Sequence, residues 1–95
     1  MELEPMQLAD LVRLLRECAG QEEGIDLDGD ILDTEFGDLG YDSLAMLETT
    51  GRVERDYAVV LDEEMLDEAY TPRRYLVMVN QALSAARSGP RSAVL

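Results

Sequence analysis

Ninety-five residues allow one modest hydrophobic core and leave no room for separate substrate and cofactor lobes, which argues against a multistep enzyme. An apolar content of 46% beside a formal net charge of -13 describes a chain that folds yet carries a strongly acidic surface. Such a surface repels nucleic-acid phosphates and anionic lipid, so neither nucleic acid nor membrane is an expected partner, whereas basic protein surfaces are.

In chain order, the first predicted element is a helix from Pro5 to Ala19. Leu8, Leu11, Val12, Leu15, Cys18 and Ala19 recur at three- and four-residue spacing on one face. Pro5 suits a first helical position and Gly20 the residue just past the end. Cys18 continues the apolar stripe and reads as core packing rather than as a reactive thiol. Residues 21 to 42 then lose all periodicity, with glycine and aspartate scattered between Ile25, Leu27, Ile31, Leu32, Phe36 and Leu39. This is a long structured loop of the kind that tends to be functional, with Phe36 and Leu39 expected to anchor it across the core.

Asp42 is a good N-cap for a second helix over residues 43–57, in which Met46, Thr50, Val53 and Tyr57 should face the core. Asp62 can cap a short helix through Leu66 to Glu68. Thr71-Pro72 opens a last helix striped by Tyr75, Leu76, Val79, Leu83 and Ala86. From Ser88 onward periodicity disappears, and a mobile tail is expected. The predicted fold is all-α: one domain over residues 1–95, a small bundle of three main helices plus one short helix, with the long loop joining the first two.

Several chemistries are closed to this chain. It contains no histidine, which removes the commonest general base and metal ligand and excludes a Ser-His-Asp hydrolase. Its one cysteine cannot form an internal disulfide. No apolar run approaches the roughly 20 residues that span a bilayer, and Met1-Glu2-Leu3-Glu4 lacks the positive flank of a secretion signal, so a cytoplasmic protein is expected. Asp26, Asp28, Asp30 and Asp33 suggest calcium, but a calcium loop starting at Asp26 would have Ile31 where glycine is required and Gly37 where glutamate is. Weak divalent binding by these carboxylates stays open, and no metal ligands are assigned.

The run Asp38-Leu39-Gly40-Tyr41-Asp42-Ser43-Leu44 places a serine in the first turn of the second helix, where it should be exposed. Free N–H groups and the positive end of the helix dipole favour an attached phosphodiester at that point. As a nucleophile in its own right Ser43 lacks a credible base, because only carboxylates such as Asp38 and Asp42 are near in sequence. Spacing alone leaves two readings open: a serine that merely accompanies a helix cap, or one modified by another enzyme.

Leu39-Gly40-Tyr41-Asp42-Ser43-Leu44, continued by Glu48, Glu54 and Tyr57 and followed by Thr71-Pro72-Arg73, resembles the acyl carrier proteins, in particular those of dissociated (type II) aromatic polyketide synthases. The resemblance spans about residues 5–86. It implies that Ser43 receives a covalent 4'-phosphopantetheine from coenzyme A and that the thiol of this arm holds growing polyketide intermediates as thioesters. The chain is then a carrier subunit and not an enzyme. The implied partners are a phosphopantetheinyl transferase, a ketosynthase/chain-length-factor pair, a malonyl-loading acyltransferase, a ketoreductase and cyclase/aromatase enzymes, all meeting a monomeric carrier. A carrier of fatty-acid synthesis and a non-carrier acidic adaptor are the alternatives.

On the second helix, Leu44, Leu47, Glu48, Gly51, Glu54 and Arg55 lie outside the core stripe and begin at the serine. With Asp42, the residues Leu44, Leu47, Glu48 and Glu54 form a candidate docking face for basic enzyme patches. The alternative is plain solvation, with Glu48 and Arg52 as an i,i+4 pair. Gly51 is unusual in a helix interior, at a cost of about 1 kcal/mol against alanine. Either it gives a partner or the arm close access, or it is a tolerated weak point. Arg74 stands where the family pattern has an acid.

Overall fold

The computed structural model describes residues 5–20 and 24–88. Among the described residues four α-helices appear in the expected order: α1 (Leu8–Ala19), α2 (Ser43–Tyr57), α3 (Glu63–Glu68) and α4 (Pro72–Ser88), with a 3-10 turn, Phe36–Leu39, inside the long connection. Among the described residues there is no strand. Ser88, where the mobile tail was expected to begin, is still the last residue of α4, while the rest of that tail and the side chain of Ala86 lie outside what is described.

α1 begins three residues later than the sequence suggests. Gln7, not a residue before Pro5, is its N-cap, and the Gln7 N–H donates to Asp10 Oδ2 at 2.9 Å. The chain before it is held on α4 instead. The Met6 N–H donates to Asn80 Oδ1 at 2.7 Å, and Asn80 Nδ2 donates back to the Met6 carbonyl at 3.0 Å. The Met6 side chain is buried as well, so its backbone groups are paired across to α4 instead of within a further helical turn.

The core joins Leu11, Val12, Leu14 and Leu15 of α1, Val53 of α2, and Tyr75, Met78, Val79 and Leu83 of α4. α1 packs most extensively on α2. Burial corrects the predicted stripes at a few positions. Leu14, Thr49 and Met78 are buried although the spacing passed over them, whereas Ala19 is exposed and Met46 and Tyr57 are only partly covered. A helix packed by two neighbours covers a wider arc than one stripe.

From the long connection, Leu27, Ile31, Phe36, Leu39 and Tyr41 all enter this core, so the segment is an integral part of the packing. Phe36 and Leu39 are the anchors expected of them. The Phe36 ring meets Tyr75 edge-on, centroids 5.8 Å apart at 83°, and the Phe36 N–H donates to the Tyr70 carbonyl at 2.9 Å. Arg73 holds the same connection from outside, its Nε and Nη2 reaching the two Asp33 carboxylate oxygens at 2.8 and 3.1 Å. That guanidinium keeps the Asp33 carboxyl below the ordinary aspartate range. The loop thus arrives at α2 fixed on both sides.

Candidate functional site

The approach to Ser43 is built by the backbone. The 3-10 turn Phe36–Leu39 ends at Gly40, whose φ of 92° lies in the left-handed region that glycine adopts without a Cβ penalty. The chain then reverses so that the Tyr41 N–H returns to the Phe36 carbonyl at 3.0 Å and the Tyr41 ring turns inward. Its hydroxyl donates to the Gly20 carbonyl at 2.8 Å, tying the last residues before α2 to the end of α1. Burial raises the Tyr41 pKa above its ordinary value, so the phenol stays a donor.

Asp42 caps α2 as the sequence suggests, its Oδ1 accepting the Ala45 N–H at 2.9 Å. Ser43 is therefore the first residue of the helix, and it is exposed. The cap is supplied by Asp42, and the Ser43 hydroxyl makes no hydrogen bond to any described residue. With Asp42 occupied in capping, no base is arranged to activate this serine. The arrangement offers a free hydroxyl in the positive field of a helix N-terminus, suited to being modified by another enzyme rather than to attacking a substrate itself.

Of the residues assigned to a docking face, Leu44 and Leu47 stand 64% and 58% exposed and Glu48 is exposed beside them. Glu54, expected on the same face, and Arg52 have other roles. Glu54 is half-buried, and its Oε2 accepts the Leu61 N–H at 2.8 Å, which fixes the connection after α2. Arg52 bonds Asp56 at 2.7 Å and Glu17 of α1 at 2.9 Å instead of pairing with Glu48. Gly51 faces open space, with nothing within 4 Å of where a Cβ would stand. Arg74, the departure from the family pattern, lies over the Tyr70 ring at 5.0 Å from its centroid, a cation–π contact.

The acidic loop residues have separate local tasks. Asp26 accepts the Asp28 N–H at 3.0 Å, Asp28 pairs with Arg16 at 3.1 Å, and Asp33 pairs with Arg73. Among the described residues no three acidic or sulfur ligands come together as a metal site. Nor is any described helix long and apolar enough to cross a membrane.

Beside Ser43 the structure adds what sequence reasoning missed. A cavity of about 350 Å³ lies between α2, the 3-10 turn, α3 and the start of α4, with Ser43 itself in its wall. That volume is at the lower end of the roughly 300–1,000 Å³ typical of small-molecule sites. Phe36, Met46, Leu47 and Leu66 give it an apolar part, the acidic residues Glu35, Asp42 and Asp67 also line it, and Thr50 and Tyr75 belong to its wall. These two are bonded to each other, Thr50 Oγ1 and Tyr75 Oη being 2.7 Å apart. The sequence signal was present: a hydroxyl stood in each of the two apolar stripes that were expected to meet. A larger groove of about 540 Å³ along α3 and α4 shares Glu35, Ala69 and Tyr70 with this cavity but does not include Ser43.

The chain matches the phosphopantetheine attachment site family over residues 13–76. It is 54% identical over 81 residues to the oxytetracycline polyketide synthase acyl carrier protein of Streptomyces rimosus, covering 85% of each chain. With the actinorhodin polyketide synthase acyl carrier protein of Streptomyces coelicolor it shares 48% identity over 77 residues, 81% of this chain and 90% of that one. Two solution structures share the fold. The oxytetracycline acyl carrier protein superimposes with a TM-score of 0.75 at 52% identity, covering 88% of both chains. The hexanoyl form of the actinorhodin carrier does so with 0.79 at 44% identity, covering 86% of this chain and 95% of the other. These relatives are carrier subunits, and their family bears a covalently attached 4'-phosphopantetheine. An all-helical bundle with a free serine hydroxyl at the head of α2, matched over most of its length by such carriers, belongs to the acyl carrier proteins of type II polyketide synthases.

Proposed function

We propose that Ser43 Oγ is the attachment point of the 4'-phosphopantetheine arm and that the chain carries polyketide intermediates between the enzymes of a type II synthase. The observation that carries this reading is the exposed Ser43 hydroxyl, unbonded at the first position of α2 and part of the wall of a cavity with an apolar portion. The arm supplies a terminal thiol that holds acyl groups as thioesters. The chain's own residues do the rest. Asp42 fixes the helix start, the remaining N–H groups of the first turn would favour the charge of a phosphodiester on Ser43, and Tyr41 braces the loop that presents the serine. The cavity shelters part of the cargo.

Partners in this reading approach along Asp42, Leu44, Leu47 and Glu48, with Glu54 at the margin of the same face. Acidic groups around two exposed leucines suit rapid, short-lived docking onto basic patches, since charge speeds encounter more than it strengthens the complex. The partners are the phosphopantetheinyl transferase, the ketosynthase/chain-length-factor pair, the malonyl-loading acyltransferase, the ketoreductase and the cyclase/aromatase enzymes. The setting is the cytoplasm, where coenzyme A is available to donate the arm.

Intact mass spectrometry after incubation with coenzyme A and a broad-specificity phosphopantetheinyl transferase tests the site. Wild type gains the mass of one arm and Ser43→Ala gains none. An unmodified wild type refutes the carrier reading, and a modified Ser43→Ala refutes the residue.

A further inference from the structure

The larger groove along α3 and α4 does not include Ser43 and has no part in the site so far described. Six large apolar side chains stand exposed among the described residues, and three of them, Met65, Tyr70 and Val77, line this groove. Two of the others, Leu44 and Leu47, belong to the α2 face. Buried Ala69 and Met78 also contribute to the groove, so its apolar surface is continuous with the core. Exposed apolar groups gathered in one place and rimmed by polar residues mark an interaction surface.

Charge defines what fits there. Arg13, Arg16, Arg52, Arg55 and Arg73 each reach a carboxylate oxygen. Arg74 is exposed, lines the groove and reaches none, which sets it apart among the described arginine side chains of a chain with net charge -13. Its guanidinium lies over the Tyr70 ring, 5.0 Å from the centroid. A cation–π contact takes up no hydrogen-bond acceptor, so the N–H fork stays available, and that fork matches the two oxygens of a carboxylate. Glu35 and Glu68 line the same groove without a cation paired to them among the described residues, and they oppose an extended acidic surface. The fit is therefore to one carboxylate beside an apolar side chain.

We propose that this groove is a second docking face, which takes a synthase-enzyme surface whose carboxylate meets Arg74 while an adjacent apolar side chain enters between Met65, Tyr70 and Val77. This rests on the reading of the chain as a carrier. The polarity is the reverse of the α2 face, which suits basic patches. An enzyme that matches both signs at once is held in one orientation, and one that matches only the acidic face is not, so Arg74 acts on specificity and takes no part in bond making.

The test uses the arm-loaded full chain with the photo-crosslinker p-benzoylphenylalanine replacing Gln81, an exposed residue of the groove, and each purified enzyme of its synthase in turn. Irradiation and peptide mass spectrometry should join position 81 to an enzyme peptide that carries an aspartate or glutamate close to an exposed apolar residue. Without the crosslinker, Arg74→Gln and Arg74→Glu should each weaken binding of that enzyme about 5-fold or more in fluorescence anisotropy, and exchanging the enzyme's carboxylate for arginine should restore binding to Arg74→Glu. A loss caused only by disturbing Tyr70 is not restored by that exchange. Arg74 is exposed, so both variants should keep the wild-type circular dichroism. The proposal is overturned if position 81 joins no synthase enzyme or only a second copy of the chain, if both Arg74 variants bind as wild type does, or if the exchange restores nothing. Intact mass keeps the two readings apart. A chain that accepts no arm at Ser43 refutes both, whereas a loaded chain indifferent to Arg74 refutes only this one.

Discussion

Two exchanges on α2 in opposite directions test the account of its backbone. Gly51 has ordinary helical geometry, is exposed, and has nothing within 4 Å of a Cβ, so alanine fits without contact or strain. Gly51→Ala should gain the glycine-to-alanine difference in a helix interior, about 0.8–1.0 kcal/mol. Seven residues later Ala58 ends the helix with φ 54° and ψ 49°, a left-handed conformation that costs an L-residue roughly 1–2 kcal/mol. Ala58→Gly relieves that cost, offset by about 0.4–1 kcal/mol for the freer unfolded chain. Its expected net effect is a stabilisation of between about zero and 1.6 kcal/mol. For a domain of this size 1 kcal/mol raises Tm by roughly 4–8 °C, readable by circular dichroism, and urea titration should shift the midpoint without changing its slope. Because the sites are seven residues apart and share no partner, the double variant should be additive. A lower Tm for Gly51→Ala would refute the claim of open space there. If Gly51→Ala is more stable but slower to receive acyl groups from its enzymes, Gly51 was serving access by a partner.

Two further predictions concern tyrosines. Tyr41→Phe removes the bond to the Gly20 carbonyl and should cost about 0.5–1.5 kcal/mol in chemical denaturation, with the backbone amide shifts of residues 40–43 changing most; no change in either would show that the loop is held without this bond. Tyr75 gives a pH dependence. Its pKa is raised in the fold, so from about pH 10 upward the unfolded chain loses the proton while the native chain keeps it, and stability falls as the pH rises through the folded value of about 12. Phenolate absorbance during an alkaline titration should show a late-ionising phenol that Tyr75→Phe removes, and that variant should lose less stability at high pH; a native titration curve whose alkaline end Tyr75→Phe leaves unchanged would refute it.

Helix positions were largely legible because each carries local punctuation. Asp42 and Asp62 do cap their helices, with Asp62 Oδ1 accepting the Glu64 N–H at 2.8 Å, and Thr71 Oγ1 accepts the Arg74 N–H at 3.2 Å as α4 begins. Such bonds span only two or three residues, so a short stretch of sequence contains both partners. The start of α1 was misplaced because its competitor, the Met6–Asn80 strap, joins residues 74 apart. Glu48 and Arg52 likewise had the right spacing for a pair, but Arg52 found Glu17 and Asp56 once α1 lay alongside. Local pattern offers a partner, and packing supplies a better placed one.

Sequence alone determined the helical class, the order of the elements, the absence of a histidine-based mechanism and the position of Ser43 at a helix start, since all of these depend on residue type and near-neighbour spacing. Tertiary structure decided which acidic groups remain on display and which, like Glu54, hold the chain. It also created the cavity, for Thr50 and Tyr75 stand 25 residues apart and become one hydrogen-bonded pair only when α2 and α4 pack together. A cavity is defined by what several elements leave unfilled, and no single segment encodes that volume.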